Sequence, residues 1–181
     1  MKSIFLAIII LAIMGCVCPP AEHYTLNIDP QADETLQQSA ISAINAWEEK
    51  LGKNVMFDVR IADCNGNDHE ICVHFESLVD IRKQNTSNEI IIGYTTYYFG
   101  RDSADVYIPN DWDNKLVEDI THELGHAMGM NHTQAGTVMC WNASCASDGP
   151  SCGDIVQWTT MRGLSPFTVE CPNGGSFRYE H

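Results

Sequence analysis

Three imidazoles and one carboxylate fall within a short stretch of this chain, at His122, Glu123, His126 and His132. His122 and His126 are four positions apart, so on a helix they stand one turn apart on one face and can reach the same metal ion. Glu123, beside the first of them, would point past the metal to where a water lies. Gly129 can adopt the open backbone conformation that ends a helix, and the returning chain would bring His132 round as a third ligand. Three protein ligands leave a fourth position open, which is the mark of a catalytic rather than a structural zinc. The chemistry expected of such residues is metal-assisted hydrolysis, with Glu123 as general base.

The flanking pattern says what must hold them. His23 to Asp29 alternates apolar with polar and reads as a strand ended by Pro30. Asp33 should cap a helix with Leu36, Ala40, Ile44, Trp47 and Leu51 on one stripe and Gly52 past its end. Val55 to Ile61 and Ile71 to Leu78 predict a second and third strand, followed by a polar loop over Lys83 to Asn88. Ile90 to Phe99 and Asp105 to Ile108 predict two more. Asp113 or Asn114 should cap the helix that carries the histidines, whose Leu116, Ile120 and Leu124 face the core while Glu118 and Asp119 face away. A short helix is expected near Asp154 to Met161. The order predicts an α/β sandwich, one sheet backed by two helices, with no repeat and no linker that would split it.

Charge and cysteines narrow the setting. Ten basic against 24 acidic residues among 181 give a net charge of −14, which repels phosphate backbones, so nucleic acid is not an expected partner. Lys2, an apolar run from Ile4 to Met14, and Gly15-Cys16 read as a signal peptide over 1–15. Ile13-Met14-Gly15-Cys16 also looks like a bacterial lipobox, although Met14 stands where a small residue is usual. Cys16 is thus a lipidation candidate in a tether over 16–22, the alternatives being ordinary secretion or a disulfide at Cys16. Either route takes the mature chain out of the cytoplasm, with a membrane reached only through the lipid. Eight cysteines fit an exported protein. Cys64 and Cys72 flank a turn-rich stretch and are expected to pair and close a hairpin, whereas Cys140, Cys145, Cys152 and Cys171 allow several pairings. A cysteine-bound zinc is the competing use of these thiols, although no Cys-x-x-Cys pair is present.

His122, Glu123, His126, Gly129 and His132 fill every fixed place of the HExxHxxGxxH signature, and Met139 follows seven residues later. In this the chain resembles the metzincin zinc endopeptidases, most closely the matrixins, over most of residues 23 to 165. The resemblance implies one catalytic domain over 23–181, expected to be a monomer: a twisted mixed sheet backed by two helices, the zinc helix below an edge strand, and a small C-terminal subdomain with Met139 in a turn beneath the metal and a helix. It implies one catalytic zinc on His122, His126 and His132, and cleavage of protein or peptide substrates drawn along the Ile90 to Phe99 strand near Gly93, Tyr94 and Thr95. Thr133 after the third histidine is nearest to the matrixin Ser. Trp141 stands where some relatives place a metal-reaching Tyr, and Cys140-Trp141 replaces the usual Tyr-Pro, so substrate preference does not carry over. Cys18 could reach a metal, but no switch motif surrounds it, and a structural or unpaired role is expected of it.

Several weaker signals remain. Asp63, Asn65, Asn67, Asp68 and Glu70 gather oxygen ligands, but the glycine is misplaced for an EF-hand; calcium is unsupported and a solvated turn is expected. Asp102 and Asp105 do not match the accessory-ion spacing. Sequons occur at Asn85, Asn131 and Asn142, and a glycan on Asn131 would sit between two ligands. His69, His74 and His181 are read as surface or satisfied core residues. Two other readings stay open: a zinc-stabilised lipoprotein that binds without cleaving, and a zinc amidase acting on cell-wall peptides.

Overall fold

A computed structural model of the chain describes residues 22–84, 93–98, 100–111, 115–133, 136–140 and 149–163. The signal segment and residues 16–21 of the tether, with Cys16 and Cys18, and also Asn85, Ile90, Asp113, Asn114, Trp141, Asn142, Cys145, Cys171 and His181, lie outside the described residues, whereas Glu22, expected to end the tether, begins the first strand. Alternation sets the first strand, β1 (Glu22–Ile28), which buries Tyr24, Leu26 and Ile28. Asp33 then caps α1 (Glu34–Leu51), its carboxylate accepting from the Leu36 amide at 2.9 Å. The helix buries Leu36, Ala40, Ile44, Trp47 and Leu51, the expected stripe, together with Ala43. After a 3₁₀ turn, β2 (Val55–Ile61) lies parallel to β1, with β3 (Glu70–Glu76) parallel on β1's other side.

The third strand stops short of the expected Leu78, because α2 (Leu78–Gln84) begins there. Its first turn is fixed by Ser77, whose hydroxyl accepts from the Asp80 amide at 3.2 Å, and its one fully buried anchor is Ile81. A seven-residue helix with a single core contact leaves almost no periodic signal to read. Then follow β4 (Tyr94–Tyr98), β5 (Ser103–Pro109), α3 (Leu116–Ala127) and α4 (Cys152–Met161). The sheet order is β2-β1-β3-β5-β4, parallel except for β4, which runs antiparallel to β5 at one edge. The protein is therefore mixed α/β, with a five-stranded mixed sheet. No helix among the described residues is long and apolar enough to cross a membrane.

The Cys64–Cys72 disulfide is present. It does not close a hairpin, because β1 lies between β2 and β3 and both are parallel to it. Parallel neighbours need a returning connection, and the loop over 62–69 supplies it, staying close to the sheet through Glu70. That buried carboxylate accepts from the amides of Asn65 and Asn67 at 3.2 and 2.8 Å and from the Asn27 side chain at 2.5 Å. The oxygens considered above for calcium are thus already engaged by N–H donors at their most buried member.

Both α1 and α3 pack on the sheet and on each other. Trp47, fully buried, donates its indole N–H to the Thr121 carbonyl at 2.9 Å and so ties the two helices. One core cluster joins the sheet to these helices and also takes in Val138, Met139, Ile155 and Trp158. Arg162, just past α4, reaches back to the start of β1: it donates to the Tyr24 hydroxyl at 2.8 Å and forms an ion pair with Glu22 at 2.5 Å.

Asp119 departs from expectation. It does not face freely into solvent; its Oδ2 is buried without a hydrogen-bond partner. The cause is the width of the packed arc on α3, which touches α1, β4 and β5 and buries Thr121, Glu123, Gly125 and Ala127 besides the expected stripe. Burial first, and the neighbouring Glu118 second, push the Asp119 carboxyl up to about 7. A folded-state pKa raised above the unfolded one favours folding at low pH and loses that contribution as pH rises through about 7. Asp119→Asn should therefore melt higher than the parent at pH 8, with the difference shrinking toward pH 4, as thermal unfolding followed by circular dichroism across that range would measure.

Candidate metal centre

The helix α3 delivers His122 and His126 from one face, and its end delivers His132. At Met128 the helix stops; the Gly129 amide bonds to the His126 carbonyl at 2.8 Å and the Met130 amide to the Gly125 carbonyl at 3.0 Å. Gly129 sits at φ +85°, a conformation that a side chain would strain, and from there the chain turns back. The Thr133 amide then bonds to the Met139 carbonyl at 2.8 Å, and the Thr133 and Thr137 hydroxyls bond to each other. His132 is thereby pinned opposite the helix.

The three Nε2 atoms converge, at 3.1 Å for His122 to His126, 3.2 Å for His122 to His132 and 3.0 Å for His126 to His132. These are not hydrogen bonds among the rings. His122 Nδ1 lies 2.7 Å from the Val138 carbonyl and His126 Nδ1 2.8 Å from the Met130 carbonyl. A carbonyl only accepts, so each Nδ1 carries the proton and each Nε2 presents a lone pair. Burial, ahead of every other cause, holds both imidazoles below the usual histidine range, His126 down to about 4. Neutral rings with lone pairs aimed at one point repel each other, and a cation at that point is the natural partner. Nitrogens about 2.0–2.1 Å from a tetrahedral ion stand about 3.3 Å apart, close to the spacing found. The three histidines thus form a candidate metal-binding group.

Glu123 is buried on the side of α3 that meets β4. Thr95 donates to it: the hydroxyl lies 2.7 Å from Glu123 Oε2 and 3.0 Å from the Glu123 carbonyl. Burial is the main cause that pushes the Glu123 carboxyl up to about 7; the Thr95 hydrogen bond opposes this and the Asp119 charge adds to it. Of the residues expected along the strand, Gly93 and Thr95 sit against Glu123. Tyr94 does not, since its ring stacks on Tyr107 at 4.5 Å on the other face of the sheet.

Met139 is fully buried under α3. A Cβ on Gly125 would stand 2.1 Å from the Met139 sulfur, so only glycine allows the thioether to approach between the two helical histidines. The turn that carries Met139 is held by a residue that sequence reasoning missed. Asp154, fully buried near the start of α4, accepts from the amides of Val138 at 3.0 Å and Met139 at 3.2 Å, and from the Ser151 amide and hydroxyl at 2.7 and 2.8 Å. Asp154 therefore orients Val138, whose carbonyl orients His122. The only signal available was Ser151 three residues ahead of an acid, a helix-start pattern.

Elsewhere, Cys64, Cys72 and His74 also lie close enough to share an ion, but the two sulfurs are bonded to each other, and Cys140 and Cys152 are disulfide-bonded too. That removes these four thiols from the cysteine-bound zinc considered above. Asp105 pairs with His74 at 3.3 Å and with the Tyr98 hydroxyl at 2.8 Å, and Asp102 accepts from Tyr97 at 2.6 Å. No family model matches this chain, and no curated protein matches it.

Two substitutions read this architecture. Gly125→Ala should displace Met139 and weaken metal binding about tenfold, measured by competition with a chromogenic chelator. Asp154→Ala strands two buried amides and should cost about 2–4 kcal/mol in urea unfolding.

Proposed function

We propose that this protein is a zinc-dependent endopeptidase of the metzincin type, exported from the cytoplasm and acting on protein or peptide substrates. The observation that carries the reading is the convergence of three imidazole nitrogens beside a buried glutamate. A zinc ion there supplies a Lewis acid for the scissile carbonyl and lowers the pKa of an attacking water to about 7. His122, His126 and His132 would hold it, the Nδ1 protons of His122 and His126 tied to carbonyls so that their Nε2 atoms stay available. Glu123 takes the proton from the water and returns it to the leaving amine as the C–N bond breaks.

The edge position of β4 supports a substrate site. Its outer side has no neighbouring strand among the described residues, and α3 packs beneath it. An extended peptide pairing there would carry its scissile bond past Glu123. Charge supports a protein substrate over nucleic acid.

The test is metal content together with hydrolysis of unfolded casein by protein folded under oxidising conditions. About one zinc per chain is expected, with cleavage that Glu123→Ala reduces by about 10²–10⁴ while zinc content stays the same. Zinc without cleavage of any peptide in a broad library would favour the non-proteolytic binding protein, and cleavage confined to cell-wall peptides would favour the amidase. A chain that takes up no zinc would end the proposal.

A further inference from the structure

Glu123 is seated by Gly93, just ahead of β4, and by Thr95 within it. A Cβ at Gly93 would stand 3.1 Å from Glu123 Cγ, so the glycine lets the side chain lie flat against the strand. Thr95, two residues on, reaches the far end, 2.7 Å from Oε2. Its second acceptor, at 3.0 Å, is the carbonyl of the same glutamate. A hydroxyl has one proton, yet whichever acceptor it serves belongs to Glu123, so the rotor stays over that residue. Among the described residues no other group hydrogen-bonds to the carboxylate, and Oε1 is left open.

A strand does not need threonine here. Valine has the same branched shape and an equal or better fit to a pleated surface. What threonine adds is a donor aimed at a buried carboxylate.

We propose that Thr95 is a positioning residue for the general base: its hydroxyl holds Oε2, fixes the plane of the carboxylate, and leaves Oε1 to take the proton from water and return it to the leaving nitrogen. The proposal rests on the peptidase reading given above. It assigns to the edge strand a part in the proton transfer as well as in holding substrate.

The test compares Thr95→Val and Thr95→Ser in the full chain. With one zinc bound, Thr95→Val should lower kcat about ten- to a hundredfold, with KM and zinc content unchanged, and Thr95→Ser should recover most of the loss. In the metal-free protein the ¹³C resonance of the Glu123 carboxylate, assigned by its disappearance in Glu123→Gln, should move in Thr95→Val and stay in place in Thr95→Ser. Full kcat in Thr95→Val, a resonance that does not move, or equal losses in both variants would each overturn the proposal while leaving the peptidase intact. A zinc-loaded parent that cleaves nothing would remove the peptidase reading and this one with it.

Discussion

Three imidazole nitrogens converge on one point, and the architecture around His122, His126 and His132 holds them there. Left alone, the rings would rotate apart. Two rings are prevented from doing so by carbonyls at their far nitrogens, those of Val138 and Met130. Both carbonyls belong to chain beyond the helix that carries the histidines. The site is therefore a closed circuit: the helix presents the rings, the returning segment orients them, and His132 rides on that segment.

The returning segment has little regular structure of its own, so its rigidity is borrowed. Asp154 gathers its amides from one side, and the Met139 thioether plugs it into the groove at Gly125 from the other. The Thr133 amide bond to the Met139 carbonyl closes the gap between them. A buried carboxylate that accepts several N–H bonds is costly to desolvate and costlier to leave unpaired, which makes the turn an all-or-none arrangement.

How much of this could be read from sequence depends on how local the cause was. The zinc-type spacing, the Asp33 cap, the α1 stripe and the Cys64–Cys72 pair depend on residues within a turn or two of each other, and they were legible. Asp119 was misread because a period of four finds one stripe, whereas α3 is packed on several sides and buries a wider arc. The loop over 62–69 was read as a hairpin because turn residues signal a change of direction and not which strand lies next door. The hydrogen bonds of Asp154 to Val138 and Met139, and of Thr95 to Glu123, were not legible, because those partners lie 15 or more residues away and no local spacing marks them.

The link from Arg162 to Glu22 and Tyr24 bears on when the molecule can become whole. β1 is an inner strand of the sheet, and its first residues are held by a side chain that follows the last described helix. A chain that emerges with its N-terminus first must expose the start of that strand until nearly everything else has followed. The third histidine, the methionine turn and Asp154 arrive in the same late stretch. Closure of the sheet's first strand and completion of the histidine cluster therefore fall together at the end of folding, so a chain cut short before Asp154 would be both frayed at its beginning and unable to keep its turn in place.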